Sequence, residues 1–139
     1  MTESTPIFPT PEAAETAFYA AFAMCDVQAM KVVWSDGEVV CIHPGSSALV
    51  GHDAVMRSWT HILTDAEQPH LHIELISRIA DGKLAVHVVE EHITSDVGIP
   101  GSTAVVLATN IYRHEDNGWR MWLHHASMSR SSQHSHTLQ

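Results

Sequence analysis

Apolar residues in the first half of the chain recur with the period of an α-helix in three separate segments. The predicted helices cover residues 11–24, residues 26–34 and a segment that opens at Gly51. Thr10 is suited to cap the first helix, with Pro11 at its first position, and Asp26 is suited to cap the second. In the third helix, one face carries the apolar side chains of Val55, Trp59, Ile62 and Leu63.

The rest of the chain alternates apolar and polar residues with a period of two, which is typical of β-strands. Strands are predicted over residues 38–43, 70–79, 84–94, 103–114 and 119–129. Tight turns at Asp81-Gly82 and Asn117-Gly118 join neighbouring strands into antiparallel hairpins. Helices followed by long strands predict an α+β domain. We expect three N-terminal helices packed on a strongly curved, mainly antiparallel sheet, which forms a cone with an internal pocket.

The predicted domain covers residues 11–129 of the 139-residue chain, a length sufficient for one hydrophobic core. Residues 1–10 contain two prolines and three threonines and are expected to form a flexible arm. The polar residues 130–139 are expected to form a disordered tail.

The net charge of −9 at pH 7 argues against nucleic-acid and anionic-membrane partners. There is no signal-peptide pattern and no apolar run near ~18 residues, the length that spans a membrane. Cys25 and Cys41 form no CxxC motif and are interpreted as reduced thiols of a cytoplasmic protein.

Histidine is the main candidate for chemistry, because the chain contains twelve and imidazole titrates near neutral pH. Five of them lie in predicted strands on mostly apolar faces: His43, His72, His87, His124 and His125. They predict either a polar cavity or histidines on a wet surface.

The segments Trp34-Ser35-Asp36-Gly37 through His43-Pro44-Gly45, Thr109-Asn110-Ile111-Tyr112-Arg113 and Gly118-Trp119-Arg120-Met121 resemble the SnoaL-like branch of the nuclear-transport-factor-2-like superfamily. So do Ser58-Trp59 and His124-His125-Ala126-Ser127. The resemblance runs from Glu12 to Ser129. It implies the cone-shaped fold, but the superfamily includes isomerases, cyclases, dehydratases and non-catalytic dimerisation modules, so it does not fix the chemistry.

The resemblance implies roles at three positions. His43, which precedes Pro44, stands where ketosteroid isomerases have their general base, and Asn110 stands where they have an acidic donor to the substrate oxygen. The position of their helix tyrosine is Phe18, and Tyr19 beside it is expected to point about 100° away around the helix. A neutral imidazole is a reasonable base, and an amide donates without pKa tuning. These two residues are the catalytic candidates, although a core histidine bonded to backbone is an equally good reading of His43.

The predicted pocket is lined by the candidates that strand alternation and helix faces turn inward. They are Phe18, Trp34, Trp59, His72, His87, Glu91, Tyr112 and His125. For Glu91, a structural polar network is favoured over a role in the pocket. For both tryptophans, core packing is favoured, and a place in the cavity wall is compatible with it. Trp122 and His124 are expected to face outward and to contribute to a homodimer interface on the sheet.

No metal or cofactor is expected. His70 and His72 share a strand face, but no carboxylate partner is evident beside them, and His124 and His125 point to opposite faces. Cys41 and His43 share a face, but residues two apart in a strand lie roughly 7 Å from each other, which disfavours a nucleophilic pair.

The sequence therefore predicts a protein that binds a small apolar or aromatic molecule. Acid–base catalysis of the isomerase, cyclase or dehydratase type on a small apolar carbonyl compound is the further hypothesis. The alternative is a non-catalytic homodimerisation or ligand-sensing module.

Overall fold

A computed structural model describes residues 5–95 and 102–130. Its helices are α1 (Pro11–Met24), α2 (Val27–Val33) and α3 (His52–Leu63). Its strands are β1 (Val40–Ile42), β2 (Leu49–Val50), β3 (His70–Asp81), β4 (Leu84–Thr94), β5 (Thr103–Glu115) and β6 (Gly118–Met128). None of these helices is long and apolar enough to cross a membrane.

The six strands form one curved, mostly antiparallel sheet in the order β2-β1-β6-β5-β4-β3. The α+β fold predicted from the sequence is confirmed. β1 is the exception to the antiparallel pairing, because it runs parallel to β6. The first strand is shorter than expected, and β2, which pairs with it, was not predicted. The helices pack on one face of the sheet, mainly through contacts of α1 with β5 and β6.

The helix caps follow the sequence signals. The side chain of Thr10 accepts a hydrogen bond from the backbone N–H of Ala13, and Asp26 accepts one from Ala29. These bonds satisfy N–H groups that lack a partner within the helix. The αL conformation of Cys25 ends α1 and turns the chain directly into α2.

An aromatic group fills the centre between helices and sheet. The ring of Phe18 makes edge-to-face contacts with Trp59 and Trp34, at centroid distances of 5.5 and 6.3 Å. All three side chains are buried, as is Tyr112. Both tryptophans therefore pack in the core, which is the favoured interpretation from the sequence.

A β-bulge in β6 reverses the expected orientation of two histidines. Tyr112 pairs with Met121 and Ile111 pairs with Leu123, so Trp122 is an additional residue in the strand. An extra residue changes the inward and outward alternation of everything after it. The predicted orientations of His124 and His125 are therefore wrong: His124 is 2% exposed and faces the core, and His125 is exposed.

The end of the predicted N-terminal arm is held against β6. The carbonyl of Phe8 accepts a hydrogen bond from the N–H of Trp119, and Arg120 donates to the carbonyl of Pro6. The guanidinium of Arg120 also lies over the Phe8 ring, 4.9 Å from its centroid. These contacts differ from the flexible arm expected from composition. The predicted tail, apart from Arg130, lies outside the described residues.

Candidate functional site

A chain of hydrogen bonds crosses the core from α1 to three neighbouring strands. The Nδ2 of Asn110 donates to the hydroxyl of Tyr19 at 2.9 Å, and that hydroxyl lies 2.6 Å from Oε2 of Glu91. On its other side, Oδ1 of Asn110 accepts from Nδ1 of His124 at 2.5 Å. The amide orientation therefore places the His124 proton on Nδ1. We call these four residues the buried chain.

Each member of the buried chain is held by a different element. Strand pairing aligns Asn110 of β5 opposite His124 of β6, whereas Glu91 of β4 lies farther along the sheet, opposite Val106. Helix α1 packs on the sheet and places the hydroxyl of Tyr19 between Glu91 and Asn110. All four side chains are buried, and buried polar groups require such partners because unpaired ones are costly.

Burial moves the pKa values of the two ends in opposite directions. Desolvation raises the pKa of Glu91 to about 7, although the hydrogen bond from Tyr19 opposes this change. Desolvation, together with repulsion by His43 and His125, lowers the pKa of His124 to about 3. Burial also raises the pKa of Tyr19 well above its usual value. At neutral pH, His124 is uncharged and the Glu91 carboxyl is close to half ionised.

Tyr19 corrects the expectation drawn from Phe18. The two side chains do point in different directions around α1, but both directions meet the core, since Phe18 is fully buried and Tyr19 is 7% exposed. The hydroxyl expected to be missing beside Asn110 is supplied by Tyr19. The buried face of α1 is wide enough to include both side chains, together with the small residues Ala14 and Ala21. These alanines were the signal in the sequence for a wide apolar face.

His43 lies beyond the end of β1, beside the indole of Trp59, with ring centroids 5.0 Å apart. Its Nε2 is 2.8 Å from Oγ of Ser58 on α3. Burial lowers its pKa, so the ring is neutral at pH 7. Among the described residues, Nδ1 has no hydrogen-bond partner. In the tautomer whose Nε2–H donates to Ser58, Nδ1 carries a free lone pair.

The side chains of Cys41 and His43 are closer than strand geometry alone suggested. Sγ of Cys41 lies 3.7 Å from Nε2 of His43, so the expected separation of roughly 7 Å is wrong for these atoms. Burial raises the pKa of the Cys41 thiol to about 12. The thiolate is the nucleophilic form, so this cysteine is a poor nucleophile at neutral pH.

A groove of about 460 Å³ lies between α1 and the strands β3 and β4. Tyr19 lines it together with the apolar side chains Ile73, Leu75 and Val89, while Glu15 and Arg78 supply charge at the same groove. The groove therefore offers an apolar surface beside Tyr19, the member of the buried chain that lines it.

His87 lies beneath α1 rather than in an open pocket. Its ring is fully buried, and Nδ1 is 3.0 Å from Oε2 of Glu15. The ring stacks at an angle on Tyr112, whose centroid is 5.1 Å away. Nε2 of His87 and the hydroxyl of Tyr112 are both buried without a hydrogen bond to the described residues.

The expected pocket role of two histidines is wrong. His72 lies on the outer face of the sheet, where its side chain is 70% exposed and pairs with Glu74. His125 is exposed because of the bulge at Trp122. Trp122 itself lies under the guanidinium of Arg113, 4.8 Å from the ring centroid, and is partly exposed as predicted.

This arrangement suits proton transfer better than nucleophilic or metal-assisted chemistry. A neutral imidazole and a carboxyl with a raised pKa lie on either side of an apolar aromatic group formed by Phe18 and Trp59. Titratable groups with such divergent environments are typical of acid–base sites.

Comparisons with known proteins agree with the fold. The SnoaL-like domain family matches residues 12–131. A solved structure from Thiobacillus denitrificans, described as a calcium/calmodulin-dependent protein kinase type II association domain, is 40% identical. The alignment covers 90% of this chain and 99% of that one, with a TM-score of 0.82.

A dehydratase of the NTF2-like family from Streptomyces avermitilis is 31% identical, with a TM-score of 0.77, and the alignment covers 85% and 92% of the two chains. A ketosteroid isomerase-like protein from Erwinia carotovora, at 19% identity and a TM-score of 0.69 over 92% and 98% of the two chains, supports the fold alone. None of the curated proteins is significantly similar to this chain.

Proposed function

The chain belongs to the SnoaL-like domain family, and from that premise we propose that it moves a proton on a small apolar or aromatic carbonyl compound. The reaction is of the isomerase, cyclase or dehydratase type. The observation that carries this proposal is the buried chain of Glu91, Tyr19, Asn110 and His124. This network brings a carboxyl, a phenol and an imidazole together inside the core, a combination of titratable groups that is typical of acid–base sites.

In this proposal His43 is the general base. Its ring is neutral at pH 7 because burial lowers its pKa, and Nδ1 is available for the proton beside the substrate carbonyl. Ser58 is a positioning residue, since its hydroxyl lies 2.8 Å from Nε2 and holds the plane of the ring in either tautomer.

Tyr19 is the group proposed to stabilise negative charge on the substrate oxygen. The Asn110 amide donates to the phenol oxygen, and Glu91 in its protonated form can donate to the same oxygen. Two donors on that oxygen free the phenol proton for a ligand and make it a stronger donor. Asn110, the donor implied by the family resemblance, therefore acts through Tyr19 as a positioning residue.

The surfaces beside these groups favour an apolar ligand. The rings of Phe18 and Trp59 lie between His43 and the buried chain. The groove at Tyr19 is walled by Ile73 and Val89. The groove suits the apolar or aromatic body of a carbonyl compound, and the rings of Phe18 and Trp59 would have to shift for the same compound to reach His43.

We further propose that the protein is a cytoplasmic homodimer. The outer face of β5 and β6 exposes Leu107 and, farther along the strands, presents Trp122, and such apolar side chains suit contact with a second copy of the sheet. Cys25 and Cys41 are free thiols, which is usual in a reducing compartment.

The alternative, a non-catalytic homodimerisation or ligand-sensing module, is favoured by one comparison. The 40%-identical protein from Thiobacillus denitrificans is described as an association domain, whereas the 31%-identical protein is described as a dehydratase. Activity, rather than similarity, therefore has to discriminate between these two functions.

Catalysed exchange of hydrogen for deuterium in candidate substrates tests the enzymatic proposal. The purified chain is incubated in D2O with a panel of small cyclic and aryl ketones, and deuterium beside the carbonyl is followed by mass spectrometry. His43→Gln is expected to slow the catalysed exchange by about 10²-fold or more, the usual contribution of a general base. His61→Gln, at an exposed position of α3, is the matched control and is expected to leave the rate unchanged. Equal rates in the two variants, or no catalysis by the native chain, would favour the non-catalytic module.

A further inference from the structure

Two pairs of side chains with metal-binding atoms lie directly opposite each other on the outer face of β3 and β4. In the register of these strands, His72 pairs with His92 and Glu74 pairs with Glu90. Because side chains two residues apart share a strand face, all four point to the same side of the sheet. We call these residues the outer cluster.

The atoms of the outer cluster are already close to one another. Nε2 of His92 is 3.2 Å from Oε1 of Glu90 and 4.0 Å from Oε1 of Glu74. Ligand atoms of these three residues all lie within 4.8 Å of one another. Nε2 of His72 is 3.3 Å from Oε2 of Glu74, so a fourth donor adjoins the group. Donors of a tetrahedral ion with bonds of 2.0–2.2 Å are separated by roughly 3.4 Å, which small side-chain rotations can reach here.

The surrounding charges favour a cation at this position. Glu74 and Glu90 are directly opposed, and like charges at opposed positions of neighbouring strands are destabilising. The strand positions beside Glu90 and His92 are the apolar Leu107 and Val105 of β5. Among these paired positions, the neighbours of the two carboxylates are histidine or apolar residues, and none of them is lysine or arginine.

We propose that the outer cluster binds a divalent transition-metal ion of the Zn²⁺ class. Glu74, Glu90 and His92 are the primary ligands, and His72 completes the coordination. Imidazole and carboxylate are the donors that such ions accept. The ion neutralises the opposed carboxylates and ties β3, the edge strand, to β4. The cluster is on the sheet face opposite the buried chain, so this site is independent of the proposed enzymatic function.

Isothermal titration calorimetry with Zn²⁺ tests the proposal on the full chain, after treatment with a chelator. The native chain is expected to bind one ion saturably. Glu74→Gln and His92→Gln are each expected to weaken this binding at least tenfold, because each removes a ligand. Both positions are on the surface, and matching far-UV circular dichroism and thermal melts in the absence of zinc would show that the variants remain folded.

Two controls separate the outer cluster from other histidines of the chain. His61→Gln and the double variant His134→Gln/His136→Gln are expected to bind Zn²⁺ like the native chain. The proposal is overturned if the native chain shows no saturable binding, if the outer-cluster variants retain full affinity, or if the double variant abolishes binding. Intense visible absorption of the Co²⁺-substituted chain, lost in His92→Gln, would independently support tetrahedral coordination.

Discussion

The hydroxyl of Tyr19 lies 2.6 Å from Oε2 of Glu91, across the interface between the first helix and the middle of the sheet. The same hydroxyl oxygen accepts a hydrogen bond from the side-chain amide of Asn110. One phenol oxygen therefore connects a helix with two strands, and any change in the ionisation of Glu91 is felt directly by the tyrosine. This coupling gives predictions for stability as well as for activity.

The stability of the Glu91→Gln variant, relative to that of the native chain, is expected to increase as the pH rises. The Glu91 pKa is about 7 in the folded chain and near 4.5 when unfolded, so the unfolded state releases its proton first. In the native chain, the contribution of Glu91 to stability is fully present below pH 4.5 and is lost as the pH rises through 7. Between pH 5 and 8, the stability of the variant should improve relative to the native chain by about 2–3 kcal/mol. Urea denaturation at both pH values measures this, with Glu90→Gln on the outer face as the control.

His124→Asn is expected to show the opposite dependence on pH. The His124 pKa is about 3 in the folded chain and near 6.5 when unfolded, so the unfolded state takes up a proton first as the pH falls. The native chain should lose about 2 kcal/mol through this residue between pH 7 and pH 5, and the variant should not. His125→Asn, at the exposed neighbouring position, should lose stability like the native chain. If both variants follow the same curve, His124 is not buried as described.

Tyr19→Phe is expected to destabilise the fold, whereas Tyr112→Phe is not. Removal of the Tyr19 hydroxyl leaves buried groups of Glu91 and Asn110 without a partner, which costs about 1–3 kcal/mol. The Tyr112 hydroxyl is buried but makes no hydrogen bond to the described residues, so its loss should be neutral or slightly stabilising. Chemical denaturation of the two variants makes the comparison. Equal losses would contradict the asymmetry between the two tyrosines.

Gly118→Ala is expected to destabilise the protein more than Gly82→Ala. Both glycines have positive φ, 100° and 62°, in hairpin turns, so both substitutions introduce backbone strain. Only at Gly118 would a Cβ lie 2.8 Å from the carbonyl oxygen of Phe8, whereas Gly82 has open space. The lower melting temperature expected for Gly118→Ala reflects this clash together with the greater backbone strain at φ 100°, which lies outside the αL region. Equal melting temperatures of the two variants would contradict the close approach of Phe8 to Gly118.

Local signals in the sequence were sufficient for most of the fold. Thr10 and Asp26 cap the helices that they were predicted to cap, and the turns at Gly82 and Gly118 join the expected hairpins. The burial of Asn110 and Glu91 followed from alternation along regular strands. These features depend on neighbours in the chain, which is why the sequence displays them.

The parts of the site that were missed depend on tertiary structure. The bulge at Trp122 has no strong local signature, and one extra residue was enough to exchange His124 and His125. The contact of His43 with Ser58 joins the segment after β1 to helix α3, and the sequence does not state the relative placement of these two segments. The grouping of His92 with Glu74 likewise depends on the pairing of two strands. The expectation that His72 has no carboxylate partner was wrong for a local reason, because Glu74 lies two residues away on the same strand.

The titration of Glu91 tests most directly the claim that the buried chain is poised for proton transfer near neutral pH. Nuclear magnetic resonance of the chain with ¹³C-labelled glutamate carboxyl groups, assigned with Glu91→Gln, follows this one group from pH 3 to pH 9. The account predicts a midpoint near pH 7, because burial raises the pKa of Glu91 to about 7. A midpoint for Glu91 near 4.5, the ordinary value for glutamate, would contradict it.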